Sequence, residues 1–583
     1  MISFHMAGIR RAPVDDYSGM ASGSLERLLT QLERQRYRFG RRAAAGIAQL
    51  LSALAKRRFP DSASLIRLHE SLLFLRAFPQ SRATVRAAEK WLCNFHARVE
   101  KLCATGAEME EFDPLEVSGI AATSMQDTLS FDVVRWLVKR VNDIKIIWNE
   151  GAAERALASV LPKFIPLIEE DGQVEADVPW QRWLHAAKER GQDLHWLVQQ
   201  LERMSISDVE KSQLYNSLQL TVRWQLKDLR LSRTRNWKPV RQVFYHHGPL
   251  IGRREVSLAR ELAQPPTLRR LSRREGESVI NMVREVMLVR YRELYGTTFG
   301  DPASVVRGDV GRGVSIYLWN LPPAQRLPLR AYVAGFTLKN GVPVNYIEAI
   351  GLFEWMEVGF NTFYTFRKGE VAWNFAQALR CLCRLTGTTC ISMYPYQLGH
   401  NNEEAIESGA FWFYRKLGFR PGRADLLRVT EREEQKIARD VTYRTSPRIL
   451  RRLAEGHVFY ELSGSDVGAW DTFSTRNIGL KVNQHMSTEF QGNSQRFRRV
   501  AGAWLSGVLG VSTASWSSSL QRANFENFAV LLSLVPSLAL WSGKEKRALL
   551  RIIRAKTAAN EMLYLRLSKE HPRLRDALLK LGS

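Results

Sequence analysis

The spacing of the apolar residues changes twice along this 583-residue chain, which excludes a single uniform fold class. In the first 228 residues, apolar side chains recur every three or four positions, which is typical of packed amphipathic helices. After about Arg312 the pattern becomes that of strands, and after Pro421 helical spacing returns. Because the chain is also several times longer than a usual domain, we expect a multidomain protein.

These changes divide the chain into five predicted segments. We expect a flexible tail at residues 1–20, a helical domain at 21–228, a basic connector at 229–275, an α/β domain with a mixed sheet at 276–430, and a mainly helical domain at 431–583. The first and last domains then flank the only segment with clear strand patterning.

Within the α/β segment, strands and helices alternate in a defined order. Asn340-Gly341 follows an alternating run and predicts a tight hairpin turn. The spacing then predicts a strand from about Val358, a helix over about 370–385, a strand over 388–394 and a second helix that ends at Gly418. Antiparallel strands are thus followed by strand, helix, strand and helix.

Composition and charge narrow the functional classes. The 45% hydrophobic and 25% charged content excludes a fibrous or disordered chain. Five cysteines without a Cys-x-x-Cys pair predict neither a disulfide framework nor a cysteine metal site, and no metal is expected. We find no stretch apolar enough for a leader or a membrane span, so we expect a cytoplasmic protein.

The net charge of +25 favours anionic partners, and the connector concentrates it. Between Leu229 and Arg274 there are 12 Lys or Arg residues against two glutamates, with Trp237, Phe244 and Tyr245 interleaved. This pattern is compatible with nonspecific binding of nucleic acid, but it favours a solvated basic face.

One short motif carries a family resemblance. The run Ser408-Gly409-Ala410-Phe411-Trp412-Phe413-Tyr414-Arg415-Lys416-Leu417-Gly418-Phe419 ends in Tyr-x-Lys-Leu-Gly-Phe. This stretch resembles the helix that ends with the same sequence in the GNAT superfamily of N-acetyltransferases, and the preceding order of strands and helices agrees. The resemblance covers about residues 276–425. It implies that the middle domain is a GNAT-like acyl-CoA N-acyltransferase.

The resemblance also implies a place for the acyl donor, acetyl-CoA or another acyl-CoA. In the family, a turn before a helix presents backbone N–H groups to the pyrophosphate of coenzyme A, and small residues and the helix dipole make this possible. The corresponding turn can be anchored on Gly369, or on Arg367 and Ala372. We expect Arg367, Lys368, Gly369, Val371 and Ala372 to bind the donor, although Glu370 places a carboxylate in the same turn.

The catalytic residues follow from the same resemblance. Acyl transfer to an amine needs a base for the amine proton and an acid for the leaving thiolate. Tyr414 matches the family's acid, and Glu357 or Glu354, on the strand before the turn, would be the base. Where the family often has an asparagine, this chain has Glu407.

Two functions stay open from sequence. The first is an acyltransferase that moves an acetyl or other acyl group to an amine-bearing acceptor. The second is a non-catalytic protein that uses a GNAT-like domain as a scaffold to bind nucleic acid or protein.

Overall fold

A computed structural model describes residues 22–148, 152–164, 175, 180–188, 190–512 and 516–583. The predicted tail at residues 1–20 lies outside the described residues.

The N-terminal part is mostly helical. Its helices are α1 Ser22–Gln35, α2 Arg41–Ala55, α3 Ser62–Ala77, α4 Arg82–Cys93, α5 Phe95–Cys103, α6 Phe131–Leu137, α7 Ala152–Val160, α8 Trp180–Lys188, α9 Asp193–Arg203 and α10 Asp208–Ser217. Asp61 and Ser81 cap α3 and α4 by accepting hydrogen bonds from the backbone N–H groups of Ser64 and Thr84. Leucines of α1 to α3 form a common core with the face of the large sheet described below.

The mostly helical N-terminal part also contains a small sheet that the spacing of apolar residues did not reveal. Strands β1 Ser124–Thr128, β2 Ile144–Ile147 and β3 Thr221–Gln225 form an antiparallel sheet in the order β1-β3-β2. Val222 and Trp224 are buried and alternate with the exposed Arg223, which is the period of a half-buried strand. Short strands of this kind are difficult to recognise in the sequence, because the residues on either side of them have helical spacing.

The residues of the predicted connector pack against both cores of the large sheet. After helix α11 Leu258–Leu262, strand β4 Leu268–Arg270 pairs with the edge of the large sheet. Trp237 and Leu250 pack on the core that contains α3, whereas Val256 and Leu258 join the core on the other face of the sheet. The predicted boundary at residue 275 therefore comes after the sheet has begun.

The large sheet has nine strands in the order β11-β12-β10-β9-β8-β7-β6-β5-β4. Its further strands are β5 Val306–Gly311, β6 Val314–Asn320, β7 Ala331–Lys339, β8 Val342–Leu352, β9 Trp355–Thr362, β10 Cys390–Met393, β11 Arg420–Pro421 and β12 Val458–Glu461. All neighbours are antiparallel except β9 and β10. The predicted hairpin is confirmed, because Asn340 and Gly341 both have positive φ between β7 and β8.

Helices cover both faces of this sheet. On one face, α12 Arg273–Leu288 and α3 pack with the tyrosines and phenylalanines of β6 to β8, and the short α13 Tyr295–Thr298 follows α12. On the other face, α14 Val371–Thr386 connects β9 to the parallel β10, and Phe375 of α14 contacts Phe360 of β9. The mixed α/β organisation predicted for the middle of the chain is thus observed.

The second predicted helix is divided. The structure has α15 Pro395–Leu398, α16 Glu403–Glu407 and α17 Ala410–Arg415. Asn402 caps α16 as predicted, but Gly409 has φ of 66° and separates α16 from α17. One continuous helix from Asn402 to Gly418 is therefore wrong.

The C-terminal part completes the sheet and then becomes helical. After α18 Ala424–Arg439 and α19 Pro447–Leu453, strand β12 inserts between β10 and β11, so the α/β unit extends beyond the predicted limit of residue 430. The remaining helices are α20 Thr475–Phe490, α21 Ser494–Leu509, α22 Ser519–Leu532, α23 Gly543–Lys556, α24 Glu561–Lys569 and α25 Pro572–Gly582. Within the described residues, no helix combines the length and apolar character needed to cross a bilayer.

Candidate functional site

The parallel strands β9 and β10 separate near the middle of the sheet. Their pairing ends at Val358 and Met393, whereas β9 continues to Thr362 beside β8 alone. The chain leaves β10 through Tyr394 into α15. The separation leaves Gly359 to Thr362 without a strand on one side, and this gap opens onto the face of the sheet that packs on α12.

A carboxylate and a tyrosine lie on that face next to the gap. The Tyr332 hydroxyl of β7 donates a short hydrogen bond to Glu348 Oε1 of β8. Burial raises the pKa of Glu348, and the hydrogen bond from Tyr332 and the charge of Arg292 offset this only in part. Since Glu348 keeps a partly exposed side chain, it can exchange a proton with a molecule in the cleft.

Glu357 lies on the same face, one strand further. Its Oε2 is 2.9 Å from His457 Nε2, and its Oε1 is 3.6 Å from an Arg330 guanidinium nitrogen. Burial alone would raise the pKa of Glu357, but the hydrogen bond to His457 and the charge of Arg330 outweigh it and lower the pKa. Glu357 is thus an ionised carboxylate held by two partners.

Tyrosines form the rim of this cleft. Tyr394 and Tyr396 are about half exposed, and Tyr394 packs on His457 with ring centroids 5.5 Å apart. On the other side, the exposed Tyr295 of α13 lies 6.1 Å from the Tyr332 ring. A Cβ added at Gly359 would make ordinary van der Waals contact with Glu348 and Gln397, and none of its neighbours would be closer than 3.7 Å. We call this surface, with Tyr332, Glu348, Glu357 and Gly359 at its centre, the tyrosine cleft.

Tyr414 lies on the opposite face of the sheet. Its ring is 5% exposed and packs on Phe375 of α14 and on Phe419, with centroids 5.6 Å and 5.8 Å apart. The described structure gives its hydroxyl no hydrogen-bond partner, and burial raises its pKa. Tyr414 and Glu357 therefore lie on opposite faces of the sheet.

Glu354 is placed elsewhere. It lies in the β8–β9 turn and accepts hydrogen bonds from Trp470 and Arg575 of the C-terminal part, at 2.8 Å and 2.7 Å. These contacts join the sheet to the C-terminal helices and hold the carboxylate away from the tyrosine cleft.

The turn expected to bind the donor pyrophosphate connects β9 to α14. Arg367 makes an ion pair with Glu404 of α16 and stacks on Tyr364, 3.7 Å from its ring centroid. Lys368 is exposed and extends over the Tyr37 ring, while Val371 and Ala372 begin α14. The two cations are thus at the surface, but one of them already has an acidic partner.

The centre of the turn is filled by the protein itself. A Cβ at Gly369 would lie 2.8 Å from the Phe78 ring and 2.9 Å from the carbonyl oxygen of Phe366. Glu370, 0% exposed, precedes α14 and pairs with Arg312 and with Lys339 Nζ at 3.1 Å. Burial would raise the pKa of Glu370, but Lys339 and Arg312 outweigh it and lower the pKa. A carboxylate, two cations and Phe78 therefore occupy the space where the resemblance implies a phosphate.

Sequence reasoning missed Tyr332, Glu348 and His457. Glu348 had a detectable signal, since it is the single acid in the strand-like run Val344 to Leu352. His457 gave no such signal. It precedes β12, and 64 residues separate β12 from its partner strand β10, so the sequence does not show that the two strands pair.

Two further findings bear on function. Among the described residues, no three His, Cys, Asp or Glu side chains lie close enough to hold a metal ion. Comparison of the chain with protein-family models, curated proteins and solved structures gives no match.

Proposed function

We propose that the protein is a GNAT-like acyltransferase that transfers an acetyl or other acyl group from acyl-CoA to an amine held in the tyrosine cleft. The observation that supports this proposal best is the gap between β9 and β10. Two carboxylates, Glu348 and Glu357, lie on one face of the sheet near this gap, and Tyr414 packs in the core on the other face. The strand–helix–strand order around it is the order that the resemblance implies.

The chemistry requires one proton to leave the amine and one to reach the sulfur. The amine nitrogen attacks the thioester carbonyl, the carbon–sulfur bond breaks, and the new amide is released with a thiol. Glu348 is the better of the two cleft carboxylates as a base, because its raised pKa lies closer to neutrality than the lowered pKa of Glu357. Glu357, held by His457 and Arg330, would bind the cationic acceptor before it loses its proton.

Tyr414 would supply the proton to the leaving thiolate. Its raised pKa keeps the hydroxyl protonated at neutral pH, and without a partner in the protein the hydroxyl can donate to a substrate atom. Because the ring packs between Phe375 and Phe419, the hydroxyl has a defined position in this core.

A second function is favoured by one observation. The buried Glu370 closes the turn that would receive the donor pyrophosphate, which favours a non-catalytic GNAT-like scaffold that binds nucleic acid or protein. The connector supports nucleic-acid binding less than its composition indicates, because Arg233 is buried and pairs with Glu70.

Labelled acetyl-CoA and a panel of primary amines test the proposal. We expect label on an amine product and release of one thiol for each acetyl group transferred. Absence of transfer across the panel, together with steeply salt-dependent oligonucleotide binding by the same preparation, would favour the scaffold instead.

A further inference from the structure

A groove at the far end of α14 is lined by several cations and by no acid. It has a volume of about 590 Å³ and lies between the end of β4, the C-terminal end of α14 and helix α24. We call it the α14–α24 groove. Since α14 has 16 residues, about 24 Å of helix separates this groove from the turn at Gly369. It is therefore distinct from the tyrosine cleft and from the predicted donor turn.

Four cations line the groove from three sides: Arg270, Arg384, Arg566 and Lys569. Two of them make hydrogen bonds within the protein. Arg270 donates to the carbonyl of Ala303, and Lys569 donates to the carbonyl of Gly387. Arg384 and Arg566 are exposed, and the described structure gives neither guanidinium an acidic partner. Two arginines on separate helices are thus available to a ligand.

The absence of a carboxylate in its lining distinguishes this groove from four other cavities of the described chain. Each of those contains at least one acid among its lining residues, namely Asp132, Glu433, Glu526 and Glu89. Glu561, next to the groove, is 1% exposed and pairs with Lys556, so it does not neutralise the groove cations. A surface with several cations and no acid attracts multiply charged anions.

The other lining residues indicate what kind of anion fits. Val306, Leu385, Met562 and Leu563 are half-buried and form an apolar strip, and no aromatic side chain is present for a base to stack on. Thr386 and Asn560 add polar groups near the arginines. The lining thus combines a cationic part with an aliphatic part within one cavity of ligand size.

From this combination we infer that the α14–α24 groove binds a small organic diphosphate with an aliphatic part. The guanidinium groups of Arg384 and Arg566 hold the phosphate oxygens, for which the planar fork of arginine is well suited. Lys569, which donates to Gly387, covers the partial negative charge at the end of α14 that would otherwise oppose an anion.

Calorimetric titration of the full chain with geranyl diphosphate and with inorganic pyrophosphate tests this inference. The variant is Arg384→Glu with Arg566→Glu, and the matched control is Arg428→Glu with Arg448→Glu, two exposed arginines of α18 and α19 with the same total change of charge. We expect saturable binding of geranyl diphosphate that weakens by about tenfold or more in the groove variant and by less than about twofold in the control.

Two comparisons decide the outcome. Tighter binding of geranyl diphosphate than of pyrophosphate supports the aliphatic strip as part of the site, and equal affinity overturns that part. Equal weakening in both variants, or no saturable heat from the folded wild type, overturns the site itself, because either result reduces the groove to general surface charge.

Discussion

Lys339 Nζ lies 3.1 Å from Glu370 Oε2, and both side chains are 0% exposed. Burial lowers the pKa of Lys339 to about 8 despite the opposing effect of Glu370. The pair joins the end of β7 to the start of α14, and Arg312 and the backbone N–H of Ile251 complete the coordination of the carboxylate. The protein's own charges therefore stabilise the start of α14, whichever residues bind the acyl donor.

Removal of the Glu370 charge should destabilise the fold. Glu370→Gln leaves the Lys339 ammonium buried without a counter-charge, and we expect a loss of about 3 kcal/mol in the free energy of unfolding. Urea denaturation measures this loss. Glu407→Gln, an exposed glutamate in α16, is the control and should change stability little. Equal stability of Glu370→Gln and wild type would contradict a buried ion pair, and the double variant with Lys339→Met should recover part of the loss.

Glu348 should set the pH dependence of transfer. Glu348→Gln removes the base, and we expect the rate to fall by about 100-fold or more. In the wild type the rate should rise with pH through a pKa above the ordinary 4.5 of glutamate. Tyr332→Phe removes a hydrogen bond that lowers this pKa, so the rising limb should move to higher pH. If the transfer rate rose over the same pH range in Tyr332→Phe as in the wild type, Glu348 would be excluded as the titrating group.

Glu354 should not affect the chemistry. Because it contacts Trp470 and Arg575 outside the tyrosine cleft, Glu354→Gln should lower stability and leave the transfer rate within about twofold of wild type. Steady-state rates measured on folded protein check this. A loss comparable to that of Glu348→Gln would return Glu354 to the list of candidate bases.

Tyr414 should matter for rate more than for stability. Among the described residues its hydroxyl has no hydrogen-bond partner, so Tyr414→Phe should cost less than about 1 kcal/mol of stability while the transfer rate falls by about 100-fold. Tyr564→Phe is the matched control, since that buried hydroxyl donates to the carbonyl of Leu329 at 2.5 Å. The control should lose stability and keep its rate. If Tyr414→Phe instead lost stability and kept its transfer rate, Tyr414 would be a packing residue.

Glu70 should make the fold sensitive to acid. It pairs with Arg233 at 2.6 Å, and although burial opposes ionisation, Arg233 and His69 lower its pKa from 4.5 to about 2. Because the folded-state pKa is the lower one, its contribution to stability is fully present above pH 4.5 and is lost as the pH falls towards 2. Unfolding at a series of pH values should therefore show a shallower acid decline in Glu70→Gln, and an unchanged decline would show that other carboxylates dominate.

The sequence predicted the parts of the fold that depend on local pattern. Asn340-Gly341 specifies its hairpin because few other residues accept positive φ twice in succession, and the amphipathic face around Phe375 specifies α14. The predicted helix over 402–418 failed at Gly409, where local spacing cannot reveal a left-handed residue. Strand β12 could not be placed, because its partner β10 is distant in sequence and only tertiary packing brings them together.

The candidate site, like the fold, could be predicted from the sequence only in part. The Tyr-x-Lys-Leu-Gly-Phe run pointed to Tyr414, and the resemblance pointed to Glu357 on the strand before the turn. The filling of the turn at Gly369 could not be predicted, since Phe78 comes from a helix almost 300 residues earlier in the chain. The Glu348–Tyr332 pair likewise depends on the register between β7 and β8.

Binding of acetyl-CoA to the wild type and to Gly359→Trp, measured by calorimetry, tests the acyltransferase proposal most directly. Gly359 has ordinary φ, and a Cβ there would make ordinary van der Waals contact with Glu348 and Gln397, so we expect a tryptophan at this position to cover the surface beside the gap. Gly479→Trp, at an open position on α20, is the control. The proposal predicts saturable binding to the wild type and control that is lost in Gly359→Trp. Absence of binding to folded wild type, or equal binding to all three proteins, would contradict it.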